Sequence, residues 1–255
     1  MFFSSRTNYL CKMELYRTEM QPKISPLGDQ GLLLDWGGAL DPVVHQQVQG
    51  CWQRLTALDF PGVLDLIPAY SSLAILWDPV FLLKNYPQQL PFELLKDWIL
   101  PVLAEEMTHT AVGSRRTVEI PVCFEPPYAL DLAELAEQKQ LSPDAFVERF
   151  CARVYQVYLL GFLPGFAYMG TVEPELASPR RAVPRALIPA GSVGIAGAQT
   201  GIYPLDSPGG WQVIGRTPWR MFLPEQDPPV RLRVGDEVRF YKIGVEEFSH
   251  LLDQE

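Results

Sequence analysis

The chain is short of the residues that most acid–base and metal chemistry requires. It holds three histidines in 255 residues, His45, His109 and His250, and none lies in its glycine-rich stretch. A Ser-His-Asp or Cys-His arrangement has no local support there, and three histidines so scattered do not make a zinc site, so no metal site is expected. The four cysteines, Cys11, Cys51, Cys123 and Cys151, are separated by 40, 72 and 28 residues. No pair has metal-ligand or redox spacing, and a chain this long needs no disulfide staples, so they read as reduced thiols of a cytoplasmic protein. No lysine occurs between Lys139 and Lys242 and no G-x-x-x-x-G-K-[ST] is present, which excludes a P-loop; Gly161, Gly165 and Gly170 do not fit a dinucleotide fingerprint. No uncharged apolar run reaches the roughly 18 residues of a membrane-spanning helix. MFFSSRTNYLCKMELYRTEM lacks the apolar region and cleavage site of a signal peptide, so residues 1–22 are expected to form a loose extension. Positive charge is also in deficit, with 21 Lys and Arg against 30 Asp and Glu. The net charge of −9 disfavours nucleic acid and anionic lipid surfaces as partners.

What remains is an ordinary globular composition, 47% hydrophobic and 20% charged, at a length that suits one large or two modest domains. KISPLGDQGLLLDW (23–36) predicts two strands about a Gly28–Asp29 turn. Asp41–Pro42 is a helix cap followed by proline at the first helical position, and Val44, Val48, Cys51, Trp52, Leu55 and Leu58 continue at helical spacing. VLDLIPAYSSLAILW (63–77) reads as a hairpin, and Phe92, Leu95, Ile99 and Leu103 mark a second amphipathic helix over 91–106. Strands followed by helices in this order predict an α+β domain over 23–112. The polar THTAVGSRR (108–116) is the candidate linker. Beyond it, a domain over 113–245 opens with a strand at 117–124 and short helices at 131–139 and 143–152, the latter started by Ser142–Pro143. VYQVYLLGF (154–162) is strand-like by its β-branched and aromatic content.

From Gly161 to Pro218 the chain packs 10 glycines and 8 prolines into 58 residues. Such density would signal disorder, were it not interleaved with Phe162, Phe166, Tyr168, Ile188, Val193, Ile195, Ile202, Tyr203, Trp211, Val213 and Ile214. Many short strands joined by tight corners explain both features, because glycine admits positive φ and proline fixes φ. RLRVGDEVRFY (231–241) reads as two further strands about Gly235–Asp236. A mainly β, mainly antiparallel barrel is therefore expected.

The chemistry available in this half is arginine-based. Arg180, Arg181 and Arg185 in PRRAVPR, with Arg216 in GRTP, suit carboxylate or phosphate, since a guanidinium forks onto either with two hydrogen bonds. The other reading is that they pair with carboxylates such as Glu173, Glu175 and Asp206, or lie solvated. Ser192, Gln199 and Thr200 sit in AGSVGIAGAQTG, where small neighbours would let a ligand approach the backbone; alternatively they satisfy their own turns. Tyr203 and Thr217 join this candidate anion-binding set. Phe162, Phe166, Tyr168 and Trp211 are either pocket lining or core. A binding site predicts that Arg185, Ser192, Gln199 and Arg216 share one pocket.

GFLPGFAYMG (161–170), PRRAVPR (179–185), PAGSVGIAGAQTGIYPLDSPGGWQVIGRTP (189–218) and RVGDEVRF (233–240) resemble the signature of the family of bacterial 5-oxoprolinase B subunits. The same family is described as allophanate hydrolase subunit 1 or as a sporulation-kinase inhibitor family. The resemblance runs from Lys23 to Lys242 and is densest over 154–222. It implies a ferredoxin-like N-terminal domain and a cyclophilin-like barrel. It also implies a hetero-oligomer with a paralogous C subunit and a third subunit, which together hydrolyse 5-oxo-L-proline to L-glutamate with ATP. An unstrained lactam is a poor electrophile, and phosphorylating its oxygen would create a leaving group, a task suited to cationic and amide donors. The implied alternatives are a regulator of a sensor histidine kinase acting through its barrel, or a carboxyltransferase-related part of a urea- or allophanate-degrading system. Two positions depart from the pattern: Phe150 stands where the family has histidine, five residues before the tyrosine matching Tyr155, and EPPYALDL (125–132) replaces a glycine-rich stretch. No residue is assigned as the catalytic base, and the isolated chain is expected to be inactive.

Overall fold

A computed structural model of the chain describes residues 21–38, 41–104 and 116–255. The chain forms two compact units, one on each side of residues 105–115. The linker expected at 108–116, apart from Arg116, and the extension expected at 1–22, apart from Gln21 and Pro22, lie outside the described residues, as do Cys11 and His109.

In the first unit, β1 (Lys23–Pro26) and β2 (Gly31–Asp35) pair as a hairpin whose turn uses Gly28 at φ 66°. Helix α1 (Pro42–Leu58) starts where the Asp41 carboxylate accepts the Val43 N–H at 2.8 Å, ahead of a proline whose missing N–H costs nothing there. It buries His45, Val48, Cys51 and Leu55, one face of a 3.6-residue repeat. Strands β3 (Val63–Pro68) and β4 (Ser72–Trp77) follow, then α2 (Pro79–Asn85) and α3 (Pro91–Ala104). The antiparallel sheet runs β1-β2-β4-β3. Alternate residues Leu73, Ile75 and Trp77 of β4 join Leu32 and Leu34 of β2 in a core with α1 and α3. The short helix α2 was not anticipated, although Asp78–Pro79 repeats the start of α1; the Asp78 carboxylate accepts from the Val80 and Phe81 N–H groups.

The second unit contains β5 (Thr117–Cys123), α4 (Leu132–Gln138), α5 (Pro143–Cys151), β6 (Val154–Leu160), β7 (Ala167–Gly170), β8 (Arg185–Ile188), β9 (Ser192–Ala196), β10 (Gln199–Ile202), β11 (Ser207–Gly209), β12 (Gln212–Arg216), β13 (Glu237–Ile243) and α6 (Val245–Leu252). Seven strands close a barrel in the order β10-β7-β6-β13-β5-β12-β9, while β8 and β11 form a separate ribbon. Every neighbouring pair is antiparallel except β13 and β5, which run parallel from Glu237↔Thr117 to Ile243↔Cys123. A barrel of this size is narrow enough for side chains to fill it. Ile120, Val122, Val157, Met169, Ile195, Ile202, Ile214 and Val238 belong to one buried cluster with residues of α4 and α5.

Two expectations need correction here. Residues 231–234 do not pair with β13 as a hairpin. The neighbours of β13 are the distant strands β5 and β6, so the Gly235 N–H turns to Val157 O and the Arg231 N–H to Met221 O. The barrel unit also extends past residue 245, because α6 packs on the barrel with Phe248 buried against Cys123 and Ile243.

Cys51, Cys123 and Cys151 are free thiols. Burial pushes Cys51 up to about 11 and raises Cys123 as well. Iodoacetamide at pH 8 should therefore leave both unmodified in the native protein and alkylate both in urea, as read by peptide mapping; rapid native labelling of either would contradict this packing.

Candidate functional site

The glycines of the dense segment are explained largely by packing within the protein. A Cβ on Gly191 would strike Thr217 O, one on Gly209 the Tyr203 hydroxyl, one on Gly201 Ala167 O at 2.9 Å, and one on Gly215 Val122 Cγ1 at 2.7 Å. The space that a ligand was expected to use is thus filled by neighbouring strands. The hydroxyls behave similarly. Thr200 Oγ1 donates to Gly194 O at 2.9 Å, and the buried Tyr203 hydroxyl is bonded to the Trp211 backbone.

The arginines separate into three environments. Arg181 and Arg185 converge on Asp131, at the start of α4, which is 2% exposed. Arg185 donates through both terminal nitrogens, at 2.8 and 2.6 Å, and Arg181 through one, at 2.7 Å. Asp131 Oδ2 also accepts the Val213 N–H of β12 at 2.6 Å. This carboxylate raises the Arg185 pKa by hydrogen bonding. The pairing reading made from sequence therefore describes Arg181 and Arg185, but with another partner: Glu173 and Glu175 bind Arg149 instead, and Asp206 accepts the Ala190 N–H. Arg180 is exposed, with its Cζ 6.0 Å from the Trp211 ring. Trp211, Phe166, Tyr168 and Tyr203 form an aromatic cluster with ring centroids 4.6–6.5 Å apart; Phe166, Tyr203 and Trp211 are core, Tyr168 is half-buried and Phe162 is exposed. Burial raises the Tyr168 phenol, a shift that Arg180 opposes.

Arg216 is the third case. It ends β12 at the barrel rim, opposite Ser192 of β9 on one side and Cys123 of β5 on the other. Its Nε donates to Ala190 O at 2.7 Å, and its Cζ lies 6.0 Å from the Phe248 ring, which stacks on Tyr128 at 4.2 Å. Among the described residues, no acceptor lies within hydrogen-bond reach of its two terminal nitrogens. Ala190 and Phe248 thus fix a half-buried cation whose forked donors remain available. Ser192 and Thr217 flank it, both 2% exposed, with Thr217 Oγ1 accepting the Trp219 N–H.

The structure brings together Ser192, Arg216 and Thr217, and separately Arg180 with the aromatic cluster. It does not gather Arg185, Ser192, Gln199 and Arg216 into one pocket. Gln199 pairs with Ala196, four residues along β9 from Ser192, or about 13 Å at 3.3 Å per residue, and Arg185 is turned to Asp131. Sequence reading gave no role to Asp131, Tyr128 or Phe248. Asp131 carried a signal, an acidic residue just before a helix, but its side chain makes no cap and serves arginines 50 and 54 positions away. Phe150 lies buried in the core against Tyr155, Phe240 and Phe124, and accepts the Tyr155 hydroxyl through its backbone carbonyl at 2.9 Å.

A family profile described as the carboxyltransferase domain, subdomains C and D, matches residues 22–232. The chain is 41% identical over 228 residues to the 5-oxoprolinase B subunit of Bacillus subtilis (strain 168), covering 89% of this chain and 95% of that protein. It is 38% identical over 217 residues to the 5-oxoprolinase B subunit of Escherichia coli O157:H7, covering 84% and 93%. Among solved structures it is similar to TTHA0988, with a TM-score of 0.70 and 36% identity over 84% of this chain; it spans 40% of that longer chain. The chain is thus of the carboxyltransferase C and D class. Within that class, the chain belongs to the 5-oxoprolinase B-subunit family.

Removing Asp131 leaves two part-buried guanidiniums and the Val213 N–H without their acceptor. Asp131→Ala should cost about 2–3 kcal/mol in urea unfolding, below the full buried-pair value because the arginines reach solvent. Arg216→Ala loses one hydrogen bond and a ring contact and should cost about 1 kcal/mol or less. Equal costs for the two variants would show that Arg216 is a structural clamp.

Proposed function

We propose that the chain is a cytoplasmic subunit of an ATP-dependent 5-oxoprolinase, converting 5-oxo-L-proline to L-glutamate with a paralogous C subunit and a third subunit. The observation that carries this reading is the similarity to the B subunit of a 5-oxoprolinase over nearly the whole of that protein. The domain reading goes with it. The sheet order β1-β2-β4-β3, with α1 joining β2 to β3 and β1 at the edge position that a closing fourth strand would take, supports a ferredoxin-like reading of the first unit. The closed barrel after residue 113 supports the cyclophilin-like assignment.

The rim around Arg216 supports a binding role. A fixed guanidinium with both terminal nitrogens available suits the carboxylate shared by 5-oxoproline and glutamate, or a phosphate oxygen of ATP. The hydroxyls of Ser192 and Thr217 are the neighbouring polar groups. ATP supplies the activation of a poor lactam electrophile, and this chain's part is to hold negative charge in place. A general base normally contributes about 10²–10⁴-fold; among the described residues no histidine or carboxylate pairs with Arg216, and burial holds the opposite Cys123 thiol protonated, so the base is assigned to a partner subunit. The family profile's description as a carboxyltransferase domain favours, as a second reading, a part in a biotin-dependent carboxylation.

The three subunits co-expressed should release glutamate from 5-oxoproline only with ATP, and the isolated chain should release none. Arg216→Ala in the assembled complex should lower kcat/KM at least tenfold with assembly intact. Turnover by the chain alone, or full activity of the variant, would contradict the role given to this rim; transfer of carboxyl groups from a biotinylated carrier would favour the second reading.

A further inference from the structure

The first unit carries a surface that the barrel rim leaves unexplained. Between the end of α1 and β3 lies an open cavity of about 310 Å3. Trp52, Leu55, Phe60 and Val63 supply apolar lining, and the exposed carboxylates of Asp59 and Asp65 also line it. Strand β3 is the outer strand of its sheet, and a register shift between Val63 and Asp65 leaves Leu64 66% exposed. The Leu66 N–H is held by the Asp65 carboxylate at 2.8 Å. The apolar surface continues onto α2: the Phe81 ring occupies the space a Cβ on Gly62 would need, and Val80 beside it is 73% exposed.

Leu64 on this outer strand and Val80 and Phe81 on α2 are exposed beside a mixed lining, and an outer strand presents unpaired backbone groups to another chain. The cavity is open to solvent, a shape that suits a docked protein segment better than a free small molecule, which a dedicated pocket buries by about 70–90%. Charge specifies that segment further. Among the described residues no cation pairs with Asp59 or Asp65. A lysine or arginine from outside could lay its methylene stem on Trp52 and Phe60 and bring its head to the two carboxylates.

We propose that this groove is where the chain docks another subunit of its assembly, receiving a segment that carries apolar side chains around one lysine or arginine. The proposal rests on the subunit reading above and adds the face and the chemistry of the contact.

The test uses full-length chain and the other 5-oxoprolinase subunits of the same genome, with affinity measured at 50 and 300 mM NaCl. Asp59→Asn/Asp65→Asn removes both charges, and asparagine tolerates the left-handed φ of 43° at residue 59. Leu64→Asp probes the apolar rim separately. Both variants should melt like the native chain yet bind the partner subunits at least tenfold more weakly, and the double variant should lose most of the salt dependence. Native affinity in both variants, while the unaltered chain assembles, overturns the groove and leaves the functional reading standing. An unaltered chain that binds none of these subunits overturns both. A change confined to self-association overturns the proposal in favour of a second copy as the occupant.

Discussion

The barrel depends on one non-local pairing. Strand β13, near the end of the chain, lies parallel to β5 over seven residue pairs, and without it the remaining strands would form an open sheet with two bare edges. The corner before β13 is clasped to the start of β5. Arg116 Nε donates to Asp236 Oδ1 at 3.0 Å, a second Arg116 nitrogen donates to Asp236 Oδ2, and the Glu237 N–H meets Arg116 O. Asp236 also accepts the Arg233 N–H, so a single buried carboxylate holds the corner and the closure together. The rim follows from this closure. β5 brings Cys123 opposite Arg216, and β13 leads directly into α6, whose Phe248 lies beneath the Arg216 guanidinium.

A second carboxylate sorts the arginines. Asp131 absorbs Arg181 and Arg185 and ties their segment to β12 through Val213, leaving one rim arginine with unengaged donors. The four candidate arginines thus divide into two that hold the fold, Arg181 and Arg185, an exposed Arg180 beside Trp211, and a half-buried Arg216 at the rim. Phe150 belongs to the same logic of core against site. With Tyr155, Phe240 and Phe124 packed around it, that position contributes apolar area and no proton chemistry.

Local signals in the sequence were legible wherever a local cause sufficed. Asp41–Pro42 and Ser142–Pro143 announced α1 and α5, and both carboxylate and hydroxyl make the expected caps, to Val43 and Ala145. The hairpin 63–77 followed from two apolar runs about a turn, and strand 117–124 from alternation. The failures share one cause, partners that lie far along the chain. Residues 231–234 alternate like a strand, yet β13 finds its neighbours in β5 and β6. The glycines of 188–217 looked like room for a ligand, yet Thr217, Tyr203 and Val122 fill that room. Arg185 looked like a ligand residue because Asp131, 54 positions earlier, carried no mark of where its carboxylate would point.

The assignment of the rim can be tested directly by following the arginine 13Cζ resonances of this chain, labelled alone within the assembled complex, while 5-oxoproline is added. Arg216 can be identified by comparison with Arg216→Lys. A substrate-dependent shift at Arg216, with Arg185 unmoved on Asp131, is the predicted result; a shift at Arg185 or Arg180 with Arg216 unchanged would contradict it.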